Sequence, residues 1–131
     1  MIVLDTHVLV WWLAAPSNLS AKARRLVNSS AAKRQVSVST ISLFEIATLV
    51  RSGRLKLGVD LASWFDALQL LPDIKMEPVS SDIARIAGEF EEPFPGDPAD
   101  RLIAATAIVT KAKLVTADQK IRQVSVVETI W

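Results

Sequence analysis

An α/β fold with a central, mostly parallel sheet is the architecture this sequence predicts, on three observations. Short β-branched runs alternate with longer stretches of helical period, as in successive β-α-β units. Helix-starting residues (Ser20, Asp60, Ser80, Asp97-Pro98) and helix-stopping residues (Pro16, Gly53, Pro72) bound those longer stretches. Two apolar strands end in aspartates, Asp5 and Asp118, at the place where functional groups of open α/β sheets collect. At 131 residues the chain has the commonest size of one domain, and residues 1–131 are expected to form a single unit.

The elements follow in order. Residues 2–4 make a short buried strand, and Val8, Leu9, Trp11, Trp12 and Leu13 continue as a helix that Pro16 stops. Ser20 caps a second helix through Ala23, Leu26 and Val27, and residues 36–39 form the second strand. Apolar residues at Ile41, Phe44, Ala47 and Val50 give residues 41–51 a helical spacing with Glu45 in the middle, and Gly53 is placed to end it. Asp60 caps a helix carrying Leu61, Trp64, Phe65 and Leu68; residues 74–79 follow as a third strand. Ser80 starts a helix through Ile83, Ile86 and Ala87 to Phe90. Two prolines and a glycine make residues 91–97 a loop, and Asp97-Pro98 is the strongest helix start in the chain. Residues 102–109 form that helix's apolar body, 113–116 a fourth strand and 124–130 a terminal strand. No repeat, linker or low-complexity segment interrupts the series.

Composition narrows the function classes. Half of the residues are hydrophobic and 22% are charged, the balance of a chain that folds around a core. The absence of cysteine rules out disulfides and thiolate metal sites and fits a reducing, cytoplasmic compartment. With 15 basic against 14 acidic residues the net charge is +1, so no general polyanion-binding surface exists and any nucleic-acid contact must be local. The first apolar run is broken by Asp5, Thr6 and His7 and lacks a basic leader; it reads as neither signal peptide nor membrane span. With four glycines and no glycine-rich loop, nucleotide-binding readings fail.

Four acids carry the chemical argument. Asp5 and Asp118 end apolar strands, Asp100 lies in the first turn of a helix after a loop, and Glu45 sits on a helix able to lean over the same rim. A carboxylate in such surroundings costs several kcal/mol to keep ionised unless a cation or hydrogen bonds offset the lost hydration. Four of them converging require a metal. An all-oxygen donor set suits hard cations such as Mg²⁺ or Mn²⁺, which share their coordination with a phosphate substrate.

The opening Ile-Val-Leu-Asp-Thr-His-Val-Leu-Val-Trp-Trp and the run Ser39-Thr40-Ile41-Ser42-Leu43-Phe44-Glu45-Ile46-Ala47 resemble the PIN-domain family. So do Asp97-Pro98-Ala99-Asp100-Arg101-Leu102-Ile103-Ala104-Ala105 and Leu114-Val115-Thr116-Ala117-Asp118. The resemblance is closest to the VapC-type toxin ribonucleases of toxin–antitoxin pairs, and it spans the chain in order. It implies a three-layer αβα fold, a Mg²⁺- or Mn²⁺-dependent endoribonuclease, a homodimer and inhibition by a small antitoxin. It implies Asp5, Glu45, Asp100 and Asp118 as the catalytic quartet. Asp5 and Asp100 are then the direct metal ligands, Glu45 and Asp118 complete the site or act through water, and the Thr6 and Thr116 hydroxyls position the carboxylates. Relatives often carry a histidine before the Asp-Pro-x-Asp-Arg run and a lysine one turn after the glutamate. Here those places hold Pro95-Gly96 and Leu49, which leaves Arg51, Arg54, Lys56 and Arg101 as the candidate RNA phosphate contacts.

Each of these residues has a plainer structural reading. Asp97 is first a helix cap and only second a supporting acid of the site, and Asp118 equally suits the cap of a short final helix through Ile121. Glu45 alone would be a solvated helix residue, but Leu43, Phe44, Ile46 and Ala47 leave it little polar company. His7, the only histidine, reads as structural or supporting. Trp11, Trp12 and Trp64 read as core or dimer-interface packing, and residues 51–56 as a solvated face. Three alternatives stand beside the toxin: a non-toxin PIN nuclease of RNA processing, a receiver- or phosphatase-like phosphoryl-chemistry domain, and a non-catalytic PIN-like module. Asp5 is followed by Thr6-His7 rather than a second acid, against the phosphoryl reading, and no acid is missing, against the non-catalytic one.

Overall fold

The strand Ile2–Leu4 (β1) has no polar face, and that fixes the layers around it. Ile2 and Leu4 join one hydrophobic cluster and Val3 joins another on the opposite side, so both faces of the sheet must be covered. The computed structural model describes all residues, 1–131. β1 pairs in parallel with β2 (Val36–Ser39) and β4 (Lys113–Val115), with Val3 opposite Ser37 and Leu114. β3 (Ile74–Glu77) and β5 (Thr129–Ile130) complete a five-stranded sheet in the order β3-β2-β1-β4-β5, every pairing parallel.

On the Ile2/Leu4 side lie α1 (Thr6–Ala14) and α2 (Ala21–Ala32), with Ile46 of α3 (Thr40–Arg51) and Leu68 of α4 (Leu61–Gln69) completing the cluster. On the Val3 side, Ile103, Ala104 and Ala107 of α6 (Pro98–Val109) and Ile121 of α7 (Gln119–Arg122) meet Leu114. The helix α5 (Ser81–Glu89) packs Ile83 and Ala87 against Ala105 of α6. The result is the three-layer αβα arrangement. No helix is long and apolar enough to cross a membrane.

The capping residues act as the sequence implies. Ser20 Oγ accepts the Ala23 amide at 3.0 Å, Asp60 Oδ2 accepts that of Ser63 at 3.0 Å and Ser80 Oγ that of Ile83 at 3.2 Å. Gly53 follows α3 at φ +76°, where its missing Cβ removes the steric cost of a left-handed turn.

Two expectations are corrected. The apolar face of α3 is displaced from Ile41, Phe44, Ala47 and Val50: Phe44 is 69% exposed, while Ser42 and Ile46 are buried. A hydrophobic period cannot register Ser42, a polar residue buried because it is hydrogen-bonded. The terminal strand is two residues rather than seven, since β4 offers only Leu114 and Val115 for pairing with Thr129 and Ile130. The preceding residues instead close α7, through the Val124 amide to the Ile121 carbonyl at 3.2 Å, and bury Val127.

Arg101, a candidate contact to RNA phosphate, makes bonds within the protein. Its Nε donates to the Ala87 carbonyl at 2.9 Å, one terminal nitrogen to Pro95 at 3.2 Å and the other to Gly88 and Phe90. Carbonyls freed at the end of α5 attract a cation, and the rings of Phe90 and Phe94, stacked on each other and each centred 5.7 Å from the guanidinium carbon, add a cation–π contact. Arg101 thus ties the loop between α5 and α6 to the first turn of α6. Arg101→Ala should destabilise the protein by on the order of 3 kcal/mol, and Arg101→Lys should recover little of it because an ammonium cannot span four carbonyls. Urea unfolding of the three proteins measures this.

Candidate active site

At the carboxyl edge of the sheet, strands run directly into helices. Asp5 follows β1 and caps α1, Ser39 ends β2 and caps α3, and Asp118, three residues past β4, caps α7. Asp97 caps α6, with Pro98 at its first position and Asp100 in its first turn. Four helix N-termini therefore meet along one rim. They enclose a cleft of about 450 Å³ whose walls include Asp5, Glu45, Asp97, Asp100 and Asp118, together with His7 and Trp11.

Short polar links fix these acids. Asp5 is 7% exposed; its Oδ1 accepts the Thr6 amide at 2.8 Å and its Oδ2 the Thr116 hydroxyl at 2.7 Å. The same Thr116 oxygen accepts the Asp118 amide at 3.1 Å, so one hydroxyl joins the acid after β1 to the loop after β4. Thr6 donates its hydroxyl to Glu45 Oε1 and lies 2.8 Å from the Ser42 hydroxyl. Because Thr6 has one proton to give, Ser42 is the donor to Thr6, and the chain Ser42 to Thr6 to Glu45 runs in one direction. Asp97 and Asp118 each spend Oδ1 on two helix amides, Ala99 and Asp100 for the first, Lys120 and Ile121 for the second. The other oxygen of each has no protein partner.

Crowding shows in the acidities. Asp100 is pushed up to about 7, first by burial, then by the charges of Asp5, Asp97, Asp118 and Glu45. Burial raises Asp5 against the pull of Thr116, the Thr6 amide and His7, and it raises Glu45 against the Thr6 hydroxyl. No lysine or arginine lines the cleft, and the ion pairs Lys75–Glu77, Arg85–Glu89 and Lys113–Glu128 lie elsewhere.

This donor set fits a hard divalent cation: oxygen ligands only, excess negative charge, and carboxylates whose acidities register an uncompensated field. No three of the acids stand close enough to hold an ion by themselves.

The structure thus brings Asp5, Glu45, Asp100 and Asp118 together, with Asp97 acting as cap and as cleft wall. Thr6 and Thr116 hold carboxylates, as their positions suggested. Arg51, Arg54 and Lys56 are exposed at and beyond the far end of α3, with Arg51 about 9 Å along the axis from Glu45 at 1.5 Å per residue. None of them is on the cleft wall. The sequence does not single out Ser42, and Trp11, expected in core or interface packing, stands on the cleft wall beside His7. His7 is exposed in the cleft, two positions after Asp5, and Trp11 is one helical turn further on, a spacing that could have located both.

Between pH about 4 and 7 the folded chain holds a proton on Asp100 that the unfolded chain has released, so stability rises as pH falls through 7 and declines as pH rises toward it. The metal-free protein should therefore melt at higher temperature at pH about 5.5 than at about 8, and Asp100→Asn should flatten that slope. Thermal melts across this range, with chelator present, check both.

The chain matches the PIN domain family model over residues 2–127. It is 37% identical to Ribonuclease VapC22 of Mycobacterium tuberculosis over 121 residues, 92% of this chain and 89% of that protein. Among solved structures it resembles VapBC2 from Rickettsia felis, bound to a fragment of promoter DNA, with TM-score 0.72, 20% identity and coverage of 99% and 98% of the two chains. It also resembles FitAcB from Neisseria gonorrhoeae, with TM-score 0.69, 22% identity and coverage of 98% and 96%. The fold, the acids gathered at the strand ends and the family match agree: this chain belongs to the PIN-domain family, and within it to the VapC type.

Proposed function

We propose that this protein is a Mg²⁺- or Mn²⁺-dependent endoribonuclease that acts in the cytoplasm as the toxin of a toxin–antitoxin pair. The observation that carries the reading is the cleft in which Asp5, Glu45, Asp97, Asp100 and Asp118 face one another with no lysine or arginine among them. The VapC22 relative, a ribonuclease by name, supports RNA as substrate, and the fold neighbours support a small antitoxin as partner. The chain is proposed to work as one PIN domain, residues 1–131, in a homodimer.

In this reading Asp5 and Asp100 contact the cation directly, and Glu45 and Asp118 complete the site or act through water. The bound ion supplies activation of water near neutral pH and neutralisation of charge on the phosphate. Thr116 keeps Asp5 from rotating, and the Ser42 to Thr6 to Glu45 chain holds the glutamate carboxylate toward the cleft. Asp97 fixes the first turn of α6 and so the position of Asp100. Asp100 must release its proton before it can serve as a ligand, so cation affinity rises with pH through about 7. Arg51, Arg54, Lys56 and Arg101 are kept in this reading as the candidate contacts to RNA phosphates outside the cleft.

Asp5→Asn or Asp100→Asn should lower RNA cleavage by about a hundredfold or more while leaving the protein folded and, without metal, at least as stable. Thr116→Val, which removes only the hydroxyl, should cost about 10- to 100-fold. Gel assays of RNA cleavage with added Mg²⁺ or Mn²⁺, alongside thermal melts, measure these effects; unchanged cleavage by Asp100→Asn would remove that residue from the mechanism. Expression should arrest growth, and Asp5→Asn should abolish the arrest. Cleavage in vitro without growth arrest would favour an RNA-processing role over a toxin.

A further inference from the structure

An acidic cleft can hold a cation and the phosphate bound to it, but it repels the neighbouring phosphates of the same RNA. The counter-charge must come from outside the cleft, and the protein offers it close by. A second depression, of about 400 Å³, is lined by Lys22, Gln119, Arg122, Gln123, Thr129 and Trp131 among others. Two elements join it to the acidic cleft. Trp11, on the cleft wall, packs against Trp131 with ring centres 6.0 Å apart. The helix α7 carries Asp118 into the cleft at its cap, and Gln119 and Arg122 into the second depression.

Lys22 and Arg122 are exposed, and neither takes part in an ion pair. Arg122 thus differs from Arg101, whose donors are spent on carbonyls. Two free cations, two side-chain amides with both donor and acceptor, a threonine and a half-buried indole form the donor set that single-stranded RNA uses: phosphate, base edge and base face.

We propose that this depression is the subsite for the nucleotide adjoining the scissile bond. Lys22 and Arg122 take its phosphate, Gln119 and Gln123 contact its base edge, and Trp131 offers a stacking surface. The proposal rests on the ribonuclease reading and locates the substrate strand within it: the strand crosses the Trp11–Trp131 ridge from the acidic cleft into the basic depression.

The test is binding of a fluorescently labelled single-stranded RNA, measured by anisotropy at several salt concentrations. The protein carries Asp5→Asn so that the RNA survives. Adding Lys22→Ala and Arg122→Ala together should weaken binding by about tenfold or more and shrink the salt slope by about 0.7, the value for the one phosphate they share. Trp131→Leu should weaken binding with the salt slope intact. A control, Lys33→Ala with Arg34→Ala, removes two charges where α2 leads into the amino end of β2, and should change neither quantity. If the Lys22/Arg122 pair leaves affinity and slope unchanged, or the control pair matches its loss, the subsite is refuted while cleavage by the unmodified protein upholds the nuclease. Absence of both cleavage and binding in the unmodified protein overturns the two together.

Discussion

Five carboxylates held within one small cleft is the constraint on which the rest of this structure turns. In water such a group of charges would disperse; here the backbone forbids it, because four of the acids stand at a helix cap or in a first turn and the fifth is fixed mid-helix. Asp5, Asp97 and Asp118 cap helices, Asp100 sits in a first turn, and Glu45 rides on a helix capped by Ser39. The same placement makes the crowding tolerable. Helix N-termini carry partial positive charge and free amides, and three of the acids accept those amides. What remains uncompensated appears in Asp100, whose carboxyl is displaced to about 7. A site of this kind trades stability of the empty protein for affinity toward a cation.

The core explains how so strained a rim stays in place. Every residue of β1 is buried, alternate side chains belong to different clusters, and its two neighbours are parallel, so the strand can neither slip nor turn over without exposing apolar surface. Arg101 serves the opposite wall in the same way, fastening the loop that precedes α6. The acids are positioned by apolar packing beneath them and by hydroxyls beside them, and none of that support is itself charged except Arg101.

Much of this was legible in the residues, and the exceptions have physical causes. Strands 2–4 and 36–39 and the caps at Ser20, Asp60, Ser80 and Asp97 stand where the sequence places them, because β-branched runs and capping side chains are local signals. The convergence of the acids was legible through topology: in a parallel sheet, strand ends share an edge. The inward side of α3 was not, since it depends on the Ser42–Thr6 contact across 36 residues. Nor was the work of Arg101, which depends on carbonyls freed where α5 stops, or the brevity of β5, set by its partner.

The bond between Thr116 and Asp5 spans 111 residues. β1 waits in the middle of the sheet, flanked first by β2 and only at the end by β4. During synthesis on the ribosome, a nascent chain of a hundred residues already contains four of the five acids, yet it lacks the strand and the hydroxyl that lock the first of them. The cleft is therefore a late product of translation, and truncated or unfinished chains lack it. For a protein whose proposed activity injures the cell that makes it, the order of folding delays that hazard until β4 and Thr116 have been made.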